Sequence, residues 1–539
     1  MKRIVTYLLL CFPLGLLAQN ASSTVPETDA LHKLEVALEK GQYEISHYNT
    51  ACYFSLAGKS ALAFTYLEKA VAEGFSDLKV MENDGDLFSL HQDARWQEVL
   101  KRVQQNKKER EKTSELFFNQ KLFWDSEHFV TPYAQNISDE EKIAGLSKLW
   151  SEAKYNFVNF DLIPNVNFDS LYFAYLPQVR GSKSTLEYYL ILESFFAKLK
   201  DGHTNVFMPR ELTDSVYARP LIRTRLIEGK VLIVGVHDPT LSKLGIAIGQ
   251  EVVTVNDIPA KEYAARYVTP YQCASTPQDL QTHSFEHAFL RGSLSRPIKL
   301  QLRDATNKLH EHTIFRVKPA ERSKKLRTPT FVYKVLRGNI AYIALNTFSN
   351  DSSAIEFASK FTEISKANAI IFDVRNNGGG NTTPGWNILS YLIDQPNEVH
   401  AYYTRDYKPT FRAWEVDQQV DIFKSKIFPN RKWLYTKPVI VLTSARTFSA
   451  AEDFAAAFKT LNRGKLLGEA TGGSSGQPLM IQLPGNGSAR ICTKRDMLGN
   501  GEEFVGKGIQ PDHRVAPTIQ DVRKGIDTEL EAALKILLK

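Results

Sequence analysis

Ser449 stands at a joint between two kinds of predicted secondary structure. The apolar run before it, "KPVIVLTS", is typical of a buried strand, and the alanine-rich run after it, "AAEDFAAAF", is typical of a helix. A side chain at such a joint can stand above a sheet, where N–H groups at the helix N-terminus face developing negative charge. This place suits a nucleophile, but a serine here can also be a helix cap. Glu452 and Asp453 suit the first helical turn and need no catalytic role.

His203 is the candidate base that such a serine would need. A serine hydroxyl is almost fully protonated at neutral pH, and the imidazole in "LKDGHTNV" has an ordinary pKa that suits proton removal. Its position far upstream of Ser449 is no obstacle, because catalytic triads are recognised by geometry and not by order. Taken alone, a histidine that follows Gly202 at the end of a helix fits a structural or solvated loop residue better.

Three consecutive glycines in "DVRNNGGGNTTPG" follow a predicted strand and allow backbone to approach a ligand closely. The N–H groups of Gly378 or Gly379, with that of Ala450, would suit an oxyanion hole facing the serine. A phosphate cradle is disfavoured because neither GxxxxGK[ST] nor GxGxxG with a suitable acid is present. A plain tight turn remains the alternative.

The elements that must position these residues alternate regularly from residue 325 to 537. The runs "NIAYIALNTF", "AIIFDVR", "KPVIVLTS" and "KLLGEA" predict strands, and "SAIEFASKFTEIS", "PGWNILSYLI" and "SAAEDFAAAF" predict helices. Such alternation is typical of βαβ units and of a mainly parallel sheet covered by helices. The fold class is therefore multidomain α/β.

Helical patterns dominate the sequence before residue 212. Residues 28–106 resemble one tetratricopeptide unit, with Ala51, Phe54, Leu67 and Ala70 spaced for two antiparallel helices around Gly58. This predicted domain is either a docking site for a protein partner or purely structural. Residues 115–212 form the next predicted helical region, with helices in "IAGLSKLWSEAKYNFVNF" and in "TLEYYLILESFFAKLK".

Residues 213–320 have a β-rich pattern instead. "RLIEGKVLIVGV" predicts a hairpin, and "GIAIGQEVVTVND" resembles part of a PDZ domain, a module that binds the C-termini of polypeptides by strand addition. An insertion at 268–294 interrupts the pattern.

The N-terminus and the cysteines indicate the compartment. Residues 1–18 have a basic start, an apolar run and Ala18 at a candidate cleavage site, which is typical of a secretory signal peptide. Cys11 follows Leu10, where a lipoprotein signal would place a small residue. Cys52, Cys273 and Cys492 suit buried thiols better than one disulfide. A net charge of +7 without a basic stripe gives no support to nucleic-acid binding.

Together, "LKDGHT", "DVRNNGGG", "SARTFSAAE", "LGEATGGSSGQ" and "GKGIQPD" resemble the C-terminal processing (tail-specific) serine peptidases over residues 140–515. The resemblance implies that residues 325–537 are the peptidase core, that 115–212 are its helical N-terminal part and that Ser449 is the nucleophile. It implies no metal and no organic cofactor.

This family has two catalytic designs. One uses a lysine about 25 residues after the serine, where this protein has Ser474 in "GEATGGSSG". The other, in the tricorn core and the chlamydial protease-like factor, uses serine, histidine and a late glutamate. His203 and Ser449 match the second design, with Glu503, or Glu502, as the orienting acid. Tricorn-like enzymes also have a serine immediately before the histidine, where this protein has Gly202.

The sequence therefore predicts an exported serine endopeptidase, periplasmic or secreted, that acts on proteins or peptides and engages their C-termini. Its activity should rise near pH 6 to 7, as a histidine base loses its proton. The rival hypotheses are a non-catalytic carrier of apolar ligands or peptides on the same fold, and an interaction scaffold. The presence of both His203 and Ser449 favours the enzyme.

Overall fold

The computed structural model describes residues 46–56, 58–117, 129–417, 419–430 and 432–539. The predicted signal peptide, with Cys11, lies outside these residues. The protein divides into two compact units, Met1–Ser126 and Glu127–Lys539. Within the described residues, no helix is both long and apolar enough to span a bilayer.

The described part of the first unit is helical. Its helices are α1 His47–Leu56, α2 Ser60–Ala72, α3 Leu78–Asn83 and α4 Ala94–Phe117. The first two pack together through Ala51, Phe54, Leu67 and Ala70, which are buried. Gly58 lies in the connecting turn with a φ of 73°, a left-handed conformation that glycine adopts without steric cost. The expected helix pair and its turn are therefore present.

The second unit begins with helices that lead to His203. These are α5 Asp139–Asn156, α6 Phe168–Gly181 and α7 Thr185–Ala197, followed by the short strand β1 Asn205–Phe207. A capping box starts α5, because Ser138 and Glu141 each accept a hydrogen bond from the other's backbone N–H. The helix ends at Asn156, four residues before the apolar pattern does, and a 3₁₀ turn follows.

A β-rich segment comes next. Its elements are β2 Ile222–Ile227, β3 Lys230–Val236, α8 Pro239–Lys243, β4 Glu251–Val255, β5 Ile258–Pro259, α9 Ala260–Tyr267, α10 Pro277–Thr282, β6 Ile298–Arg303, β7 Leu309–Ile314 and α11 Pro319–Lys325. The strand order is β2-β3-β4-β6-β7, and β5 pairs with β4. An Asn-Asp turn joins β4 to β5, with positive φ at Asn256 and Asp257. Peptide binding by this sheet stays a prediction.

The rest of the protein forms the α/β core and two small sheets. Its elements are β8 Phe331–Leu336, β9 Ile340–Leu345, α12 Ser352–Ile364, β10 Ala369–Asp373, α13 Thr382–Leu389, β11 Asn397–Asp406, α14 Pro409–Ala413, β12 Gln419–Ile427, β13 Val439–Thr443, α15 Ala450–Leu461, β14 Lys465–Gly468, β15 Pro478–Leu483, β16 Gly487–Cys492, β17 Lys494–Leu498, β18 His513–Arg514, α16 Ile519–Lys524 and α17 Thr528–Leu537.

The core sheet has the order β18-β14-β13-β10-β9-β8, and every pair is parallel except β8 with β9. β10 and β13 are buried along their whole lengths, as their continuous apolar runs require. α15 packs its alanines and phenylalanines into the same apolar core. The mainly parallel sheet expected from the sequence is confirmed.

Two three-stranded sheets are also present, with the orders β1-β16-β15 and β12-β11-β17. β1 pairs with β16 antiparallel, which fixes the segment directly after His203 against the C-terminal part of the protein. Cys52, Cys273 and Cys492 are buried and form no disulfide within the part of the protein that the structure describes, as expected from the sequence.

Candidate active site

The loops after β10 and β13 meet because parallel neighbouring strands end at the same edge of the sheet. Thr447 Oγ1 donates to the carbonyl oxygen of Val374 at 2.9 Å, and Phe448 N donates to that of Asn377 at 3.1 Å. The glycine loop that starts at Asn377 is thereby held against the residues immediately before Ser449.

Ser449 has an uncommon backbone conformation at the start of α15. Its φ and ψ are 57° and −129°, a region that non-glycine residues seldom occupy and that functional sites often use. The N–H of Ser449 donates to the carbonyl oxygen of Ser474 at 3.1 Å, which helps to hold this conformation. The side chain is partly exposed, so a substrate can reach it.

His203 lies against this serine. A hydrogen bond of 3.0 Å joins His203 Nε2 and Ser449 Oγ, and the imidazole stacks on the ring of Phe448 with 4.8 Å between centroids. His203 N donates to Asp201 Oδ1 at 2.9 Å, which fixes the loop. The side chain is buried and is not the solvated loop residue that its sequence context allowed. The structure thus brings together the two residues that the sequence singled out.

The surroundings of His203 favour a neutral imidazole. Burial lowers the pKa of His203 to about 3, and the positive charge of Arg490 acts in the same direction. Arg490 is held nearby because its Nη2 donates to the carbonyl oxygen of Gly202 at 2.9 Å. Asp496 opposes this effect, and Lys494 adds to it. The imidazole is therefore neutral at neutral pH. In the tautomer that carries its hydrogen on Nδ1, Nε2 is free to accept the proton of Ser449.

Ser474 makes the contact on the other ring nitrogen. Its Oγ lies 2.8 Å from His203 Nδ1, and the residue is fully buried. A β-carbon added to Gly202 would lie 3.0 Å from Ser474 Oγ and 2.8 Å from the Phe448 ring. Ser474 therefore fills the space beside the imidazole that a side chain at position 202 would need.

Glu452 joins this loop to the nucleophile. Its Oε1 accepts from Thr471 Oγ1 at 2.5 Å and from Gly473 N at 2.7 Å, and its Oε2 accepts from Ser474 N at 2.9 Å and from Ser449 N at 3.3 Å. Burial raises the pKa of Glu452 to about 8, although these donors favour the carboxylate. The residue is more than the helix-terminal acid that the sequence indicated.

The two late glutamates lie elsewhere. Glu503 Oε1 accepts from Arg495 Nη1 at 3.1 Å, and Glu502 is exposed in the loop after β17. Arg495 is almost fully buried and needs acceptors, which explains why Glu503 turns towards it. No hydrogen bond of His203 within the described residues involves either glutamate, so the geometry offers no support for the orienting role expected of Glu503, and kinetics must test it.

Kinetics of Glu503→Gln and Glu502→Gln test that role. We expect either variant to lower kcat by less than about tenfold, because neither carboxylate contacts the imidazole and a glutamine at 503 still offers Arg495 an acceptor oxygen. A loss of about 10²–10⁴-fold confined to Glu503→Gln would instead give this residue the role of a triad acid.

The glycine loop lies beside the nucleophile. A β-carbon added to Gly379 would lie 2.7 Å from Ser449 Cβ and 3.0 Å from Ala450 N, so only glycine fits there. The N–H of Gly379 donates to Asn377 Oδ1 at 2.9 Å. The N–H of Gly378 has no acceptor among the described residues, and that of Ala450, the first residue of α15, has none within the helix. Of the expected oxyanion donors, Gly378 and Ala450 are thus the available pair.

A second buried polar cluster adjoins the site. Asp496 Oδ1 lies 2.8 Å from both His400 Nε2 and Lys494 Nζ, and Ser475 Oγ donates to Asp453 Oδ1 at 2.9 Å. Of these residues, Asp496 and Lys494 act on the pKa of His203, whereas Ser475 and Asp453 do not contact its ring.

Sequence reasoning did not find the roles of Ser474 and Glu452 in this arrangement. The available signal was Ser474 itself, a polar residue at the position where the serine–lysine design has its base. Glu452 gave no separate signal, because an acid in the first turn of a helix is common.

The sequence comparisons identify the core. Residues 339–515 match the model of Peptidase family S41, a segment that contains Gly378, Ser449 and Ser474 but not His203. The protein is 27% identical over 201 residues to the chloroplastic C-terminal processing peptidase of Tetradesmus obliquus, and the match covers 37% of this protein and 38% of that one. It is 24% identical over 227 residues to the carboxy-terminal processing protease CtpA of Bacillus subtilis, with 42% and 44% covered. The matched region thus spans less than half the length of these curated relatives.

The solved structures show the same fold. Mature CPAF superposes with a TM-score of 0.60 at 16% identity, with 74% of this protein and 96% of that one covered. His203 lies within the helical region that the sequence resemblance assigned to the peptidase, although it lies outside the segment that matches the family model. The family match, the named relatives and the shared fold agree: residues 339–515 are similar to Peptidase family S41 and to the C-terminal processing peptidases, and the protein has the fold of mature CPAF.

Proposed function

We propose that the protein is a serine endopeptidase in which Ser449 is the nucleophile and His203 the base. The observation that supports this most strongly is the 3.0 Å hydrogen bond between His203 Nε2 and Ser449 Oγ at the start of a buried helix. A partly exposed serine, a neutral imidazole and free N–H groups meet at one edge of the sheet, which is the arrangement that acyl transfer needs.

The proposed reaction has two halves. Ser449 Oγ attacks the carbonyl carbon of the peptide bond while its proton passes to His203 Nε2, forming a tetrahedral intermediate. When the C–N bond breaks, the imidazolium returns this proton to the leaving amine, and an acyl-enzyme remains. Water, deprotonated by the same nitrogen, then attacks the ester carbonyl, and the proton passes to Ser449 Oγ as the acid product leaves.

The oxyanion of both tetrahedral intermediates would be stabilised by the backbone N–H groups of Gly378 and Ala450. Ala450 adds the partial positive charge of the N-terminus of α15. Gly379 is needed as glycine for close approach, with its own N–H already donated to Asn377.

The substrate class that we assign is protein or peptide, and the compartment is outside the cytoplasm. The motivation for export is the signal-peptide pattern of residues 1–18. The motivation for C-terminal engagement is the PDZ-like pattern in the β-rich segment, which would add a substrate strand to a sheet edge.

Digestion of β-casein by the purified protein tests the proposal. This unstructured substrate is expected to yield new internal termini, identified by mass spectrometry, in amounts that grow with time and enzyme concentration. A carrier on the same fold would bind peptides or apolar ligands without producing new termini. That result, obtained with folded protein, would favour the carrier.

A further inference from the structure

The proposed reaction also requires a hydrogen-bond acceptor for Nδ1 of His203, the ring nitrogen that does not face Ser449. When His203 Nε2 takes a proton, the ring becomes positively charged, and its Nδ1–H requires an acceptor that also fixes the tautomer. A carboxylate usually fills this role, but the group within hydrogen-bonding distance here is the neutral hydroxyl of Ser474, at 2.8 Å.

We propose that Ser474 is the positioning residue for His203, and that Glu452 holds Ser474 in place. This inference rests on the proposed peptidase function and extends it. Ser474 would do in this protein what an orienting acid does in a triad, and Glu452 would act through it without touching the substrate.

The hydroxyl of Ser474 can serve as an acceptor because oxygen has two lone pairs and one hydrogen. Ser474 is fully buried, so water does not compete for Nδ1. Both backbone groups of the residue are fixed, with N–H donated to Glu452 Oε2 at 2.9 Å and the carbonyl oxygen accepting from Ser449 N at 3.1 Å. One residue thereby contacts both the base and the nucleophile.

Glu452 is the common anchor of these contacts. Its two oxygens accept four hydrogen bonds, from Ser449, Thr471, Gly473 and Ser474. Thr471 also accepts from Ile509 N at 2.7 Å, which ties the loop to the C-terminal part of the core. The carboxyl group lies at N3 of the helix that Ser449 begins, so the strained turn and the His203-facing loop are fixed by one side chain.

A neutral hydroxyl should stabilise the imidazolium of His203 less than a carboxylate would. The charges that act on His203 are Asp496, which favours the imidazolium, and Arg490 and Lys494, which oppose it. Loss of the Ser474 hydroxyl should therefore lower kcat by about 10- to 100-fold, the range for a hydrogen bond to a charged group. Binding should change little, because the contact strengthens only as the ring becomes charged.

Ser474→Ala and Ser475→Ala form a matched pair for the test. Both serines are buried, both hydroxyls make one hydrogen bond to a buried polar group, and only that of Ser474 contacts His203. The measurements are kcat and KM on a fluorogenic peptide taken from a mapped casein cleavage site, the rate of fluorophosphonate labelling, and Tm. We expect kcat and the labelling rate of Ser474→Ala to fall together by about 10- to 100-fold, with KM within about threefold of wild type. Ser475→Ala should keep wild-type kcat.

Several outcomes would overturn the inference. Equal losses of kcat in both variants, following their losses of Tm, would make Ser474 a structural residue, and wild-type kcat in Ser474→Ala would remove it from the mechanism. Should Ser474→Ala fail to fold, the nearly isosteric Ser474→Cys replaces it, since sulfur is a weak acceptor. A wild-type protein without turnover would refute the proposed function itself, and the inference with it. Normal wild-type turnover with a silent Ser474 would refute the inference alone.

Discussion

Ser449→Ala is expected to abolish peptide-bond hydrolysis, with kcat reduced by about 10⁶-fold, as when the nucleophile of a serine protease is removed. The reason is chemical, since no other described hydroxyl is bonded to His203 Nε2. The contact on the other ring nitrogen, from Ser474, lies on the side away from this serine. Initial rates on fluorescent casein measure the effect.

The fold of this variant should survive. Alanine removes one partly exposed oxygen whose hydrogen bond is to His203, so the cost to the free energy of unfolding should not exceed that of a lost helix cap, about 0.5–2 kcal/mol. The backbone of residue 449 stays held by hydrogen bonds to Ser474 and Glu452. A well-folded Ser449→Ala protein, judged by its Tm, that still cleaves casein at the wild-type rate would contradict the catalytic assignment.

His203→Ala should be nearly as damaging, with kcat lowered by about 10⁴–10⁶-fold. The residual activity would come from the oxyanion donors and from substrate binding. The removed ring also leaves Ser474 Oγ and Phe448 facing an empty space, so the variant requires a Tm control. Activity within tenfold of wild type would place the base elsewhere.

The pH dependence of the wild type follows from the same residue. Burial lowers the pKa of His203 to about 3, so the base is already unprotonated at pH 6 and activity should be lost only as the pH falls well below that. This differs from the rise near pH 6 to 7 that an ordinary histidine would give. A kcat/KM profile with its midpoint near pH 6.5 would contradict the conclusion that burial lowers the pKa of His203. A rise only above about pH 9 would indicate a lysine base.

Acid also affects stability through His203, so folding must be checked at each pH. The unfolded protein takes up a proton on this residue near pH 6.5, whereas the folded protein does so only near 3. The neutral, buried ring therefore makes its full contribution to the free energy of unfolding above pH 6.5, and this contribution is lost as the pH falls towards 3.

The core could be predicted from the sequence because its signals are local. Continuous apolar runs in β10 and β13, and the change to an alanine-rich helix at Ser449, reflect burial on both faces of a parallel sheet. The glycines at 378–380 indicated close approach of backbone, and the structure places Gly379 against Ser449. The pairing of His203 with Ser449 came from family resemblance, since nothing in their separate surroundings links them.

The contacts around the far side of the imidazole could not be predicted. Ser474 lies in a loop without periodicity, and its distance from His203 depends on how β16 and β1 bring the two loops together. Glu503 was the expected orienting acid, and its contact with buried Arg495 could not be predicted from the local sequence pattern. Glu452 could be interpreted only as an acid in the first turn of a helix, because its burial depends on tertiary packing.

The most direct test of the account is reaction with a fluorophosphonate probe, which forms a covalent bond with activated serine hydroxyls, followed by mass-spectrometric mapping of the modified peptide. We predict one label per molecule at Ser449 in the wild type, a strongly reduced labelling rate in His203→Ala, and none in Ser449→Ala, with all three proteins folded. Modification of a different residue, or a folded wild-type protein that takes no label at Ser449, would contradict the assignment of Ser449 as an activated nucleophile.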